Sequence, residues 1–241
     1  MSCEFDWKNY ISQLGILPAL VQLWELELVA ELKRRIPRRE EMTVLEVGCS
    51  NGRWLRWFRR NYGAQTIGVD TNLAGALMVE NFVLADGLRL PFEDGSFDVV
   101  FSMGLVEHFA NAALRRKLIE EHVRVTKPRI GIVWLEHPNM NVSFSWLWTK
   151  LYYDRRLGYR HYHITNRETK KHFHDLGVEI LATRFIGWFL PQLVKIVTQK
   201  LHKQFRFPRR VLEGAFRYKT FEHSLTADNF LIIGRRTRVL E

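Results

Sequence analysis

Cysteine is scarce in this chain, since only Cys3 and Cys49 occur among its 241 residues. Two cysteines so far apart form neither a disulfide framework nor a metal-binding spacing, and this fits a reducing cytoplasm. No uncharged apolar run reaches the roughly 20 residues that a membrane-spanning helix needs. The first ten residues, MSCEFDWKNY, lack the basic and then apolar pattern of a signal peptide. We therefore expect a cytoplasmic protein that is at most peripheral to the inner face of the membrane.

Acidic residues are also in deficit, with 26 Asp and Glu against 36 Lys and Arg, which gives a net charge of +10. Such a charge favours an anionic partner: a nucleic acid, an anionic membrane or an acidic substrate. Hydrophobic residues make up 46% of the chain, enough for a full core. Neither internal repeats nor a low-complexity linker divide it, so we predict one domain over residues 1–241.

The stretch TVLEVGCSNGRWLRWF, residues 43–58, has the pattern of a strand, a glycine turn and a helix. Its first residues are β-branched and apolar, as is typical of a buried parallel strand. The free N–H groups at the start of the following helix favour an anion or a nucleotide. A dinucleotide fingerprint would need glycine where Ser50 and Arg53 stand, and the Gly-Lys-Ser/Thr of a P-loop is absent. The turn alone is also compatible with an ordinary strand-to-helix corner.

Strands and helices alternate through the rest of the chain, which predicts a doubly wound, mostly parallel sheet. The predicted strands are 44–47, 65–69, 82–85, 97–101, 129–135, 178–186 and 229–234, and the predicted helices besides the one after the turn are 18–36, 111–126 and 165–176. Ligands of such sheets bind beyond the carboxyl ends of the strands. Gly48, Asp70, Asp86, Ser102 and Glu136 all fall at such ends, so we expect one cleft to collect them.

Two segments resemble one known family. The acidic-x-Gly-x-x-x-Gly pattern of residues 46–52 resembles motif I of the class I S-adenosylmethionine-dependent methyltransferases, with Ser50 in place of the middle glycine. Residues 85–109, ADGLRLPFEDGSFDVVFSMGLVEHF, resemble motifs III and IV of the small-molecule branch known as methyltransferase type 11. The resemblance covers roughly residues 40–186 and 226–236. It implies a Rossmann-like, three-layer α/β/α fold with seven mostly parallel strands, the last of them antiparallel.

The resemblance also implies S-adenosyl-L-methionine as the cofactor. Asp70 would accept hydrogen bonds from both ribose hydroxyls, although capping of the next helix is the alternative role for this residue. Asp86 would face the adenine amino group. The complete set of predicted cofactor contacts is Glu46, Gly48, Ser50, Gly52, Asp70, Asp86, Gly87 and Ser102.

Histidine is the side chain whose ordinary pKa suits a general base near neutral pH. His108, just after the fourth strand, is the first candidate; lining the cofactor without proton transfer is the equal alternative. His137, at the end of the fifth strand, is the second candidate, followed by His161 and His163. These histidines do not form a zinc spacing such as H-E-x-x-H, so the sequence predicts no metal.

Three regions bear on the acceptor. Residues 1–40 are expected to hold a helix that covers the cofactor entrance, and residues 144–153, FSWLWTKLYY, form an aromatic lid. Residues 187–225 form an insertion with apolar residues at helical spacing; eight Lys or Arg lie between 195 and 219 against one acid. A basic amphipathic helix is typical of membrane-surface or partner binding, although solvated lysines on a packed helix fit as well.

We therefore predict methyl transfer to an oxygen, nitrogen or carbon of a small, apolar, lipid- or quinone-like acceptor, with an anionic membrane surface as an additional partner. One alternative is an RNA methyltransferase that holds phosphates with the basic insertion. The place of the Asp/Asn-Pro-Pro-aromatic motif of amino-methylating enzymes holds Ser102-Met103-Gly104-Leu105, which makes nucleic acid the less favoured substrate. Another alternative is a non-catalytic cofactor-binding module. The oligomeric state is left open.

Overall fold

The computed structural model describes residues 22–73, 77–138, 161–186 and 229–237. Within these ranges the chain forms four α-helices and seven strands. The helices are α1 (Gln22–Arg35), α2 (Arg53–Tyr62), α3 (Ala112–Val125) and α4 (Asn166–Asp175). The strands are β1 (Thr43–Val47), β2 (Gln65–Asp70), β3 (Phe82–Leu84), β4 (Val99–Met103), β5 (Ile132–Pro138), β6 (Val178–Ile186) and β7 (Asn229–Arg236).

The seven strands form one sheet in the order β3-β2-β1-β4-β5-β7-β6. β7 runs antiparallel to both of its neighbours, β5 and β6, and all other pairs are parallel. The strand order reverses between β1 and β4, which is where doubly wound sheets bind their ligands. The predicted Rossmann-like sheet with an antiparallel last strand is confirmed.

A hydrophobic core lies on each face of the sheet, so the fold has three layers. On one face Leu28 and Leu32 of α1 and Trp54 and Phe58 of α2 pack against the strands. On the other face the packing side chains come from α3 and α4. Alternate residues of the central strands enter the two cores, as the two-residue period of a strand requires.

Two central strands end later than predicted. β4 extends to Met103, which pairs with Glu136, and β5 extends to Pro138, which pairs with Asn229 of β7. The prediction followed apolar runs and stopped before Ser102 and Glu136. Pairing with β5 keeps Ser102 in the ladder, and pairing with β4 and β7 keeps Glu136 there, because sheet context outweighs local composition.

The predicted N-terminal cover helix is described only over α1, which packs at the β6 edge of the sheet. Arg184 Nε lies 3.3 Å from Glu31 Oε2 and links this strand to the helix. Residues 1–21, the aromatic segment 144–153 and the insertion 187–225 lie outside the described residues. Within the described ranges, no helix is both long and apolar enough to cross a bilayer.

Candidate functional site

The glycine turn between β1 and α2 has the left-handed backbone that brings main-chain N–H groups close to a ligand. Gly48, Ser50 and Gly52 have φ angles of 73°, 45° and 64°. A Cβ atom on Gly52 would lie 2.6 Å from Val79 Cγ2, so only glycine fits there. Ser50, which stands where the family usually has glycine, adopts the same left-handed conformation. No acidic residue lies in the first turn of α2.

Asp70, the last residue of β2, holds the glycine turn in place. The Ser50 N–H donates to Asp70 Oδ2 at 3.0 Å, and the Asn72 N–H donates to Oδ1 at the same distance. A carboxylate has about four acceptor positions, so two remain for ribose hydroxyls. The bond to Asn72 is compatible with the capping alternative, and it does not exclude the ribose role.

Asp86 and Gly87 follow β3 at the same edge of the sheet. Asp86 is exposed, and its Oδ1 accepts a hydrogen bond from the Leu88 N–H at 2.9 Å. Gly87 lies so close to Val47 and Leu118 that a Cβ atom there would stand 2.9 Å from each side chain. The turn after β3 therefore packs closely against Val47 and Leu118, and the Asp86 carboxylate is exposed at this edge of the sheet.

Glu46 is a buried carboxylate beside the glycine turn. Only 4% of its surface is exposed, and its Oε2 has no hydrogen-bond partner among the described residues. Burial raises the pKa of Glu46 well above its usual range; a hydrogen bond from the Leu55 N–H lowers it, and the charge of Asp70 raises it again. Such a group needs a cationic or hydrogen-bonding ligand to compensate for its burial.

Ser102 lies within β4 rather than beyond its end. The alternation along β1 and β4 places its side chain on the face of α3, opposite the face that holds Glu46. Its Oγ is buried and has no hydrogen-bond partner in the part of the chain that the structure describes. The structure thus gathers Gly48, Ser50, Gly52 and Asp70 at one edge and sets Ser102 slightly deeper.

His108 ends a single 3-10 turn, Val106–His108, that follows β4. It is partly exposed, whereas its neighbours Glu107 and His161 are 2% and 7% exposed. Possible ligand atoms of these three side chains all lie within 4.8 Å of one another, and the two imidazole rings are 5.0 Å apart between centroids. Sequence reasoning missed Glu107 and this grouping, because His161 is distant in the chain and no local spacing links it to His108.

A second buried carboxylate, Glu136 of β5, lies near this group. Burial raises the pKa of Glu136 to about 7, against the opposing effect of a hydrogen bond from the Gly104 N–H. Burial raises the pKa of Glu107 well above its usual range, and the charge of Glu136 raises it further. Both carboxyls therefore favour the neutral form unless a positive charge comes close.

His137, the second predicted catalytic residue, is placed differently. It has no exposed surface, its Nδ1–H donates to the Pro138 carbonyl at 2.9 Å, and its Nε2 lies 3.0 Å from Thr169 Oγ1. Burial lowers its pKa to about 4. With both ring nitrogens occupied inside the core, His137 is positioned for a structural role that ties β5 to α4.

Comparison with known proteins relates this site to one family. Residues 45–133 match the family model Methyltransf_11, described as a methyltransferase domain. The tocopherol O-methyltransferase of Arabidopsis thaliana is 38% identical over 114 residues, which are 42% of this chain and 32% of that protein. The norajmaline N-methyltransferase of Rauvolfia serpentina is 30% identical over 121 residues, 45% of this chain and 40% of that protein.

The fold has neighbours among solved structures. One chain in a complex between the Haloferax volcanii Trm112 methyltransferase activator and a methyltransferase superposes with a TM-score of 0.64. The match covers 98% of this chain and all of that one at 18% identity, so it supports a shared fold and nothing further. The chain spans only about a third to two fifths of the length of the two plant relatives.

Proposed function

Because the chain carries a class I, S-adenosylmethionine-dependent methyltransferase domain, we propose that it transfers the methyl group of this cofactor to an oxygen, nitrogen or carbon of a small, apolar acceptor. The observation that carries the proposal is Glu46. A buried carboxylate beside a glycine turn, with an oxygen that has no hydrogen-bond partner among the described residues, suits the ammonium group of the cofactor's amino-acid part. The residues present therefore fit this cofactor.

Each remaining part of the edge has a role toward the cofactor. The left-handed turn at Gly48 and Gly52 lets the main chain approach it closely. Asp70 has two acceptor positions left for ribose hydroxyls, and Asp86 is exposed beyond β3 for the base. These contacts would align the cofactor and account for most of its binding.

The bound sulfonium supplies an activated methyl and its own leaving group, so the protein chiefly provides alignment and a dry site. An acceptor that carries a proton also needs a group that withdraws it. His108 is partly exposed next to buried Glu107 and His161, whereas His137 is enclosed in the core. We therefore assign acceptor activation to the His108 group.

Calorimetric titration with S-adenosylhomocysteine tests the cofactor assignment. We expect micromolar binding to the wild type, weaker by about 1.5–3 kcal/mol in Asp70→Ala, because charge-assisted hydrogen bonds to the ribose are lost. Glu46→Gln should also bind more weakly. The control is Glu179→Gln, which removes an exposed charge from distant β6 and should bind like the wild type.

The possible outcomes of this titration test the methyltransferase function and the placement of the ribose at Asp70 separately. If the wild type does not bind, the methyltransferase function is wrong. If it binds and Asp70→Ala binds equally well, the function stands and the ribose placement is wrong. Asp70→Asn keeps an oxygen that can accept a hydrogen bond from the turn. Circular dichroism of the Asp70 variants is compared with that of the wild type. Weaker binding with an unchanged spectrum indicates a lost ligand contact, whereas a changed spectrum indicates a disrupted fold.

The acceptor is proposed to be apolar and lipid- or quinone-like, met at an anionic membrane surface in the cytoplasm. The aromatic segment 144–153 and the basic insertion 187–225 support this in the sequence, and one relative is named for methylating tocopherol. Tritiated methyl transfer to prenylated phenols, to water-soluble phenols and amines, and to total RNA tests the class. Transfer to RNA alone would establish the nucleic-acid alternative instead, and binding of cofactor without transfer to any of these would favour the non-catalytic module.

A further inference from the structure

Glu107, His108 and His161 form a preassembled group at the carboxyl end of β4. The Tyr162 N–H donates to the Glu107 carbonyl at 2.8 Å, so the main chain fastens the segment that carries His161 to the turn that carries the other two. The group is thus assembled by main-chain hydrogen bonding and buried at Glu107 and His161. A ligand would meet these side chains without a large rearrangement.

The electrostatic balance of this group is incomplete. Two carboxyls, Glu107 and Glu136, are buried near each other, 2% and 6% exposed, and the charge of Glu136 raises the pKa of Glu107. Neither takes part in an ion pair with a lysine or arginine among the described residues, and Glu107 Oε2 has no hydrogen-bond partner there. An isolated buried carboxylate is costly unless it is paired or binds a metal.

Elsewhere this chain pairs its buried carboxylates with cationic side chains. Glu121 Oε1 lies 2.8 Å from Arg124 Nε, and Asp98 Oδ2 lies 2.9 Å from Lys127 Nζ. The Glu46 carboxylate is assigned above to the ammonium of the cofactor. Among the described residues Glu107 has neither kind of partner, and the groups that lie near it are two imidazoles.

We propose that Glu107, His108 and His161 bind a divalent metal ion. Their ligand atoms, all within 4.8 Å of one another, can converge on one ion with modest side-chain rotation. Two imidazoles with one carboxylate favour a first-row transition ion such as Zn²⁺ or Fe²⁺ over Ca²⁺ or Mg²⁺. Glu136 adds a second negative charge that strengthens the attraction.

Three protein ligands leave coordination positions on such an ion, as in catalytic rather than structural zinc sites. His108 is the partly exposed member, so the open positions face away from the buried Glu107. Water or an acceptor oxygen would occupy them, which points to hydroxyl-bearing acceptors. This last step rests on the proposed function, whereas metal binding itself does not.

The test uses the full chain without a histidine tag, stripped with a chelator and dialysed. Zn²⁺ is titrated calorimetrically, and Co²⁺ is added for its visible absorption, which reports the ligand set directly. We expect one ion per chain, and at least tenfold weaker binding for Glu107→Gln, His108→Asn and His161→Gln. The matched control is His174→Gln, because the His174 side chain is 88% exposed near the end of α4 and is not a member of the group.

Thermal unfolding is a second measurement, and the proposal also predicts the direction in which the unfolding temperature changes. Without metal, Glu107→Gln should raise the unfolding temperature, because it replaces a buried carboxyl that has no cationic partner among the described residues with a neutral amide of similar shape. With Zn²⁺, the wild type should gain more stability than the variant, since a ligand that binds only the folded state stabilises it. The absence of Zn²⁺ and Co²⁺ binding to the wild type, or equal binding in all three variants, would overturn the proposal. Failure of S-adenosylhomocysteine to bind would instead count against the proposed function.

Discussion

His122 shows at the scale of one residue how burial sets pH dependence. It lies in α3 with no exposed surface, its Nδ1 is 2.7 Å from the Leu118 carbonyl, and burial lowers its pKa to about 4. In the unfolded chain its pKa returns to about 6.5. Below pH 6.5 the unfolded state therefore binds a proton at His122 that the folded state does not bind. The free energy of unfolding decreases as the pH drops.

We predict that His122→Leu removes part of this pH dependence. Between pH 7.5 and 4 the wild type should lose up to about 3 kcal/mol more of its free energy of unfolding than the variant loses. Urea unfolding at several pH values measures both. His137 titrates in the same direction in both proteins and cancels in the difference. Parallel curves for wild type and variant would contradict the prediction, and exposed His174→Gln should follow the wild type.

Single residues were predictable from the sequence where a motif fixes the backbone. The glycine turn and Asp70 lie where the pattern predicts them, because the turn's φ angles and the strand end are local properties. Glu107 was not predictable, since its importance depends on His161, which only the fold brings near. His137 looked catalytic from its position after an apolar run, yet the pleat of β5 directs it into the core.

At the scale of elements, α2 begins and ends with left-handed glycines that differ in their surroundings. Gly52 precedes the helix with a φ of 64°, and its missing Cβ would lie 2.6 Å from Val79 Cγ2. Gly63 follows the helix with a φ of 66°, and among the described residues no atom lies within 4 Å of its missing Cβ. The pair separates the cost of backbone conformation from the cost of a clash.

We expect Gly63→Ala to lower the free energy of unfolding by about 1 kcal/mol, which is the cost of a side chain in the left-handed region. Gly52→Ala should lower it by about 2–4 kcal/mol, because a core contact must also shift. Only Gly52→Ala should weaken binding of S-adenosylhomocysteine, since only this residue adjoins the proposed site. Urea unfolding and calorimetry measure these effects. Equal destabilisation by the two variants would show that the site at Gly52 relaxes and that the clash is unimportant.

Element types followed from the sequence more closely than element ends. β6 matches its predicted bounds because polar and turn residues delimit it on both sides. β4 and β5 were placed two or three residues early, since hydrogen bonds to neighbouring strands carry them past their apolar runs. The Thr165 cap of α4 was also predicted, and its Oγ1 accepts from the Glu168 N–H at 3.0 Å. Glu168 pairs with Arg115 instead of closing the second half of the capping box.

At the scale of the whole molecule, the parallel part of the sheet followed from alternating strands and helices. The placement of β7 between β5 and β6 did not, because it depends on long-range antiparallel pairing, and only the family resemblance implied the antiparallel direction. The described part of the predicted cover helix, α1, lies at the β6 edge, where Glu31 meets Arg184. The local sequence around Glu31 and Arg184 does not predict this contact, because the two residues are distant in the chain.

The charge of the whole molecule is unevenly distributed along the sequence, and this leads to a prediction about membranes. Eight basic residues against one acid lie between residues 195 and 219. Each Lys or Arg near an anionic bilayer contributes about 1 kcal/mol of attraction, screened by salt within a distance of about 10 Å at 0.1 M. We therefore expect the protein to co-sediment with vesicles that contain phosphatidylserine at low salt, and to be released as salt rises.

Replacing Lys195, Lys200 and Lys203 by glutamine should weaken vesicle binding on the order of tenfold or more. A control triple, Lys33→Gln, Lys117→Gln and Lys171→Gln, makes the same change in net charge at exposed positions on the described helices. If both triples weaken binding equally, net charge alone is responsible and the insertion is not a membrane-binding segment. If the wild type ignores these vesicles at low salt and methylates a purely water-soluble acceptor, a membrane-resident acceptor is wrong. Binding lost only in the first triple would place the insertion at the membrane surface and favour a lipid-soluble acceptor.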